Sequence, residues 1–169
     1  MPSLDVLGSM SYLNDQPAGI LVLGYGNPLC TDDAVGWHVV EALEGRLPDG
    51  STATFHQLTP EWAEPISAAR HVIFVDAAVD GVPGEVHCFP IAAAAGRPGS
   101  HETTPDGLLS MAGDLFGRCP PAHMVTIAGD SFEISESLTP AVAAAVPLAV
   151  AQIYELIEQL NIAETPPMA

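Results

Sequence analysis

The feature that most constrains the fold of this chain is a repeated alternation of apolar strands with helical runs. Residues 20–25, ILVLGY, read as a buried strand. The apolar positions Val35, Val39, Val40, Leu43 and Leu47 then recur at helical spacing within residues 34–47. A strand over 53–58 follows, and then a short helix over 60–69 with a proline in its first turn, where a missing N–H costs nothing. HVIFVDA, residues 71–77, is β-branched and aromatic and ends at a carboxylate, the pattern of a core strand. The fourth strand, 85–91, comes after the turn VDGVPG, a link too short for a crossover helix, so it is expected antiparallel to the third. A helix over 103–117 capped by Thr103 or Thr104, a fifth strand over 123–129 and a long helix over 139–160 with a bend at Pro147 complete the pattern. The expected fold class is α/β, a three-layer α/β/α sandwich on a mixed, mostly parallel five-stranded sheet with the fourth strand antiparallel. Residues 20–160 are expected to form a single domain between a loose N-terminal tail, 1–19, and a C-terminal tail, 161–169.

Charge narrows the partners. The 169 residues carry a net charge of −17, with no lysine and only Arg46, Arg70, Arg97 and Arg118 as fixed cations. Nucleic acid and anionic membrane surfaces both need a basic footprint, so neither is an expected partner. Without lysine there is no Walker-type P-loop, no Schiff base and no serine–lysine hydrolysis. The longest apolar stretches are broken by Pro, Gly or polar residues, which argues against a membrane span. Cys30, Cys88 and Cys119 form no C-x-x-C pair, so neither a zinc ribbon nor a disulfide framework is indicated. A reduced, cytoplasmic setting and a monomer are the expectations.

The turn after the first strand, Gly24-Tyr25-Gly26-Asn27-Pro28-Leu29, is an incomplete dinucleotide fingerprint. Leucine stands at the third glycine, Pro28 removes an amide donor, and Asp32 and Asp33 would repel a pyrophosphate. One aspartate can cap the following helix by accepting from its free amides, which leaves the other for a ligand. In open α/β sheets ligands gather beyond the carboxyl ends of the parallel strands. Asp32 and Asp33 follow the first strand, Asp76 ends the third, and His101 lies in the loop after the fourth. Carboxylates and an imidazole on one rim suit a borderline divalent metal such as zinc or nickel. Other signals are weaker: HETTP lacks the second histidine of a zincin, which leaves Glu102 as a solvated loop residue, and GDSFE lacks the second glycine of a nucleophile elbow.

LGYGNPLCTDDAVG resembles the opening motif of the hydrogenase maturation proteases, endopeptidases that trim the large subunit of nickel–iron hydrogenases. VIFVDA resembles their second acidic motif, SHETTPDGLL their histidine segment, and ISESLTPAVAAAVPLAVAQI their last helix. The resemblance runs from Ile20 to Leu160. It implies Asp33, Asp76 and His101 as metal-binding and catalytic residues. The implied partner is a nickel–iron hydrogenase large-subunit precursor with nickel inserted and a C-terminal extension still attached. Nickel in that substrate would be the recognised metal, with zinc or another divalent ion able to stand in. The segment HQLTPEWAEPI departs from the D-G-G-type segment of many relatives and is similar to the form found in proteases serving NAD-reducing, bidirectional hydrogenases. Where relatives place a basic residue beyond the motif glycine, Trp37 and His38 follow Gly36. The same three ligands admit a second reading, a non-catalytic nickel or zinc carrier, although the His- or Cys-rich tracts typical of carriers are absent.

Overall fold

The computed structural model describes residues 18–48, 51–95 and 103–163. His101, Glu102 and most of both expected tails lie outside the described residues. In chain order the elements are β1 (Ala18–Tyr25), α1 (Val35–Leu43), β2 (Thr52–Phe55), α2 (Ala63–Ala68), β3 (Ala69–Ala78), β4 (Val86–Ile91), α3 (Pro105–Phe116), β5 (Ala122–Ala128) and α4 (Pro140–Ala163). Short 3₁₀ turns, Thr31–Ala34 and Pro60–Trp62, lead into α1 and α2. The strand begins two residues before the expected boundary, and the last helix runs past Leu160.

The sheet has the order β2-β1-β3-β5-β4, parallel except for β4 against β5. Helices cover both faces. Ile20, Val22, Ile73, Val75, Val125 and Ile127 pack against α1 and α4 on one side. Leu21, Leu23, Val72 and Phe74 point the other way, onto α2 and α3. Strand side chains alternate between faces, so residues apolar at every position end up buried on both. α4 is long and apolar enough, by length and composition alone, to cross a membrane, which the sequence reading did not anticipate. Here its Val142, Ala145, Ala149, Ile153 and Leu156 face the core, and Pro147 sits inside the helix without ending it. α3 starts as expected: Thr104 accepts from the Gly107 amide at 3.2 Å, with Pro105 in the first turn.

As expected, β4 runs antiparallel to β3, and β5 lies between the two and pairs with both. The physical reason lies in the two sequences. AHMVTIA can donate and accept along both edges, whereas VHCFPI carries Pro90, which has no N–H and suits an edge. α1 also stops at Leu43, short of Leu47, although Leu47 still packs on the core.

Candidate active site

The strand order reverses between β1 and β3: the chain leaves β1 for β2 on one side and returns to β3 on the other. In open α/β sheets such a switch point leaves a crevice at the carboxyl ends of the two strands. The expected acidic residues stand there.

The turn after β1 is shaped by close backbone approach. A Cβ on Gly24 would run into the Gly36 carbonyl, and one on Gly36 would lie 2.6 Å from the Val75 carbonyl oxygen. Only glycine at these positions lets α1 settle onto β1 and β3. Gly26 has a φ of 138°, and a side chain there would strike the Asp33 main chain. Asp33 is therefore folded back over the turn, where its Oδ2 accepts from the Asn27 amide at 2.6 Å. Asn27 Oδ1 accepts from the Leu29 amide at 3.0 Å, a local turn bond. The Trp37 indole N–H is shared between the carbonyls of Gly26, 3.0 Å, and Phe55, 3.1 Å, which pins the turn to α1 and to the end of β2. The Phe55 ring in turn meets Trp62 edge-on at 4.4 Å, so part of the HQLTPEW segment is anchored beside the turn. The glycines are packing devices that hold a carboxylate, not a phosphate cradle.

Asp32 does something different from Asp33 and from what its position suggested. No side chain caps the entrance to α1. Asp32 is 0% exposed and reaches across the chain. Its Oδ1 accepts from the Thr139 amide at 2.8 Å, and its Oδ2 from the Thr139 hydroxyl at 2.8 Å and the amides of Asp130 and Ser131 at 2.8 and 3.0 Å. Burial acts to raise its pKa, but the bonds from Ser131, Thr139 and Asp130 outweigh it and hold the group below the usual carboxylate range. Asp32 thus clamps the loop after β5 and the start of α4 to the turn.

Asp76 lies near the end of β3. Gly24 pairs with Val75 in register, which brings Tyr25 and Asp76 level on adjacent strands. The Tyr25 hydroxyl donates to the Asp76 carboxylate, and the Ala77 amide donates to its Oδ1 at 2.8 Å. Burial is the largest influence and pushes Asp76 up to about 6, the Tyr25 and Ala77 bonds act against it, and the Asp33 charge adds to the rise. Burial, followed by the Asp76 charge, also raises Tyr25 well above the ordinary tyrosine value, so it stays a hydrogen-bond donor. Asp106, in the first turn of α3, and Asp33 contribute to the same negative field.

The structure therefore brings Asp33 and Asp76 into one electrostatic unit with Tyr25, and sets Asp32 apart. Two carboxylates, one of them poised near neutral pH, can bind a cation or take a proton from water. Among the described residues no three His, Cys, Asp or Glu side chains close around a common metal position. The expected third ligand, His101, lies outside the described residues. His71 and His123 pair at 2.8 Å near the starts of β3 and β5, at the amino-terminal ends of these strands and away from the carboxylate rim. Sequence reasoning missed Tyr25, although it stands at the end of the first strand, beside the glycines. It missed the clamp made by Asp32 because nothing local signals it.

Neither the family models nor the curated proteins give a match to the chain. Solved structures do. The chain is similar to the hydrogenase maturating endopeptidase HybD of Escherichia coli, at 28% identity and a TM-score of 0.67, over 83% of this chain and 92% of that one. It is similar to a hydrogenase 2 maturation peptidase of a Thaumarchaeota archaeon, at 25% identity and a TM-score of 0.62, over 82% and 97% of the two chains. At the level of fold alone it matches the [NiFe] hydrogenase maturation protease HycI of Thermococcus kodakarensis, at 18% identity and a TM-score of 0.63, over 86% and 95%.

Proposed function

We propose that this chain, whose structural neighbours are hydrogenase maturation endopeptidases, is itself such an endopeptidase and removes a C-terminal extension from the nickel-loaded large-subunit precursor of a nickel–iron hydrogenase. The observation that carries the reading is the Tyr25–Asp76–Asp33 unit at the switch point of a fold shared with those enzymes. A buried carboxyl raised toward neutrality beside a second carboxylate is a site that a divalent cation relieves. Nickel held by the precursor supplies that cation as part of the substrate. Asp33 and Asp76 offer it oxygen donors, and Tyr25 and the Asn27 amide fix their orientation.

His101 is the proposed third ligand. Two observations support it. Asp106 acts on Tyr25, so the first turn of α3 borders the site. The Ala94 amide donates to the Asp106 carbonyl at 3.0 Å, so the described residue Ala94, seven positions before His101, is tied to that turn. With the metal seated, the peptide beyond it is held in one register, and a carboxylate of the pair accepts the proton of the attacking water. Nickel is then the recognition element, and an unloaded precursor has nothing to bind.

The test is to mix the protein with nickel-loaded and nickel-free precursor and to follow loss of the C-terminal peptide by intact mass. Cleavage of the loaded form alone is the expected result, abolished by Asp76→Asn. A cognate loaded precursor left intact, with stoichiometric metal transferred to this chain, refutes the peptidase and identifies a carrier.

A further inference from the structure

Around the carboxylates the rim of the sheet is unusually apolar for so acidic a protein. Leu29 is 51% exposed, Val79 78%, Val82 70% and Ile134 91%. They come from the three loops that follow β1, β3 and β5, each within a few residues of the site in sequence or bonded to a loop that is. Scattered surface hydrophobes are normal, whereas a contiguous exposed patch marks an interaction surface.

Backbone hydrogen bonds join these loops into one surface. The Ser135 amide donates to the Leu29 carbonyl at 3.0 Å, and the Thr31 amide to the Ser135 carbonyl at 2.9 Å. The Gly129 amide donates to the Ala78 carbonyl, and the Gly84 amide to that of Ala128, at 2.9 and 2.8 Å. Thr31 is held at a φ of 46°, a conformation costly for a β-branched residue. Its hydroxyl donates to the Glu133 carbonyl at 2.6 Å, and the buried Asp32 clamp holds the same loop. The rim is therefore presented preformed, which lowers the ordering cost of binding.

Its charge is of one sign. Asp80, Asp130, Glu133 and Glu136 stand among the apolar residues, and the segments 27–36, 78–86 and 129–138 contain no lysine or arginine. We infer that this rim is the docking surface for the precursor, and that it receives a segment bearing apolar side chains flanked by Lys or Arg. The inference rests on the endopeptidase reading and names the partner chemistry of that same site. An anionic lipid surface is repelled by such a fringe, and a second copy of this chain, at −17, brings the same charge.

The test compares cleavage kinetics of the wild type, a rim variant Val82→Ser/Ile134→Ser, and a control variant Leu115→Ser/Leu148→Ser whose two residues are also exposed but lie on helices α3 and α4. Removing two of the exposed apolar contacts is expected to raise KM for loaded precursor about tenfold with kcat held within about twofold. The control is expected to match the wild type. Raising salt from about 50 to about 300 mM should also raise the wild-type KM, and less so for Asp80→Asn/Glu136→Gln. An unchanged KM in the rim variant, an equal rise in the control, or a salt-independent KM overturns the inference while leaving the peptidase intact. A wild-type dimer that the rim variant converts to monomer in sedimentation also overturns it, by making the rim a self-interface. Failure of the wild type to cleave any loaded precursor refutes the endopeptidase reading itself.

Discussion

Asp76→Asn should make this protein more stable and inactive at once. Burial raises the Asp76 carboxyl from 3.8, its value in an unfolded chain, to about 6. At about 1.36 kcal/mol per pKa unit, ionising it in the folded protein costs ~3 kcal/mol. Asparagine removes the charge, keeps the shape, and still offers an oxygen to the Tyr25 hydroxyl and the Ala77 amide. The gain expected from urea unfolding at pH 8 is therefore about 2–3 kcal/mol, a large share of a small domain's stability. Its pH dependence has a definite sign. Between 3.8 and 6 the folded state binds the proton more tightly than the unfolded state, so wild-type stability is lost as pH rises through this window. The advantage of the variant should grow over the same window, be complete above pH 6, and vanish near pH 4. Contributions from groups not coupled to Asp76, His71 included, are common to both proteins and cancel in the difference. Divalent nickel or zinc should stabilise the wild type by binding the native carboxylates, and should stabilise the variant less. Equal stability of the two proteins at pH 8, or a gain that does not change with pH, would refute the account of Asp76 as a carboxylate held out of its preferred state for function.

Three further outcomes follow from the geometry. Asp32→Ala removes a buried carboxylate and leaves three backbone amides and a hydroxyl without their acceptor; it should cost about 3–5 kcal/mol in chemical denaturation and raise hydrogen exchange in residues 130–139. Trp37→Phe removes the indole bonds to Gly26 and Phe55; a loss of about 1–2 kcal/mol in unfolding free energy and a fall in cleavage rate are expected, the rate loss being checked by single-turnover mass spectrometry. His71 is held at about 4, chiefly by burial and then by His123 and Arg70, against 6.5 when unfolded. Its lowered value means that stability present above pH 6.5 is lost as pH falls toward 4, and His71→Gln should flatten that slope in thermal melts across the window.

Periodicity in the chain was sufficient to determine the layers. Runs such as ILVL and VIFV must be buried on both faces, helices with a single apolar stripe must cover them, and loops at the carboxyl ends must meet at a crevice. That places Asp33 and Asp76 on one rim before the fold is known, whereas the close helix–strand approach that requires glycine at 24 and 36 is seen only in the structure. Pairing is another matter. The side-chain period of a strand is the same whichever neighbour it has, so the sequence pattern of 85–91 gave its direction and not its place at the edge. Local chemistry likewise offered one of the two aspartates as a helix cap, while the real partners of Asp32, which are Asp130, Ser131 and Thr139, lie 98 to 107 residues away. The raised Asp76 carboxyl and its bond to Tyr25 depend on two strands coming level and on the burial that follows. Sequence by itself determined which residues could reach the site. Only tertiary structure decided which carboxylate is clamped, which is poised, and which apolar loops surround them, because desolvation and long-range hydrogen bonds exist only once the chain has closed on itself.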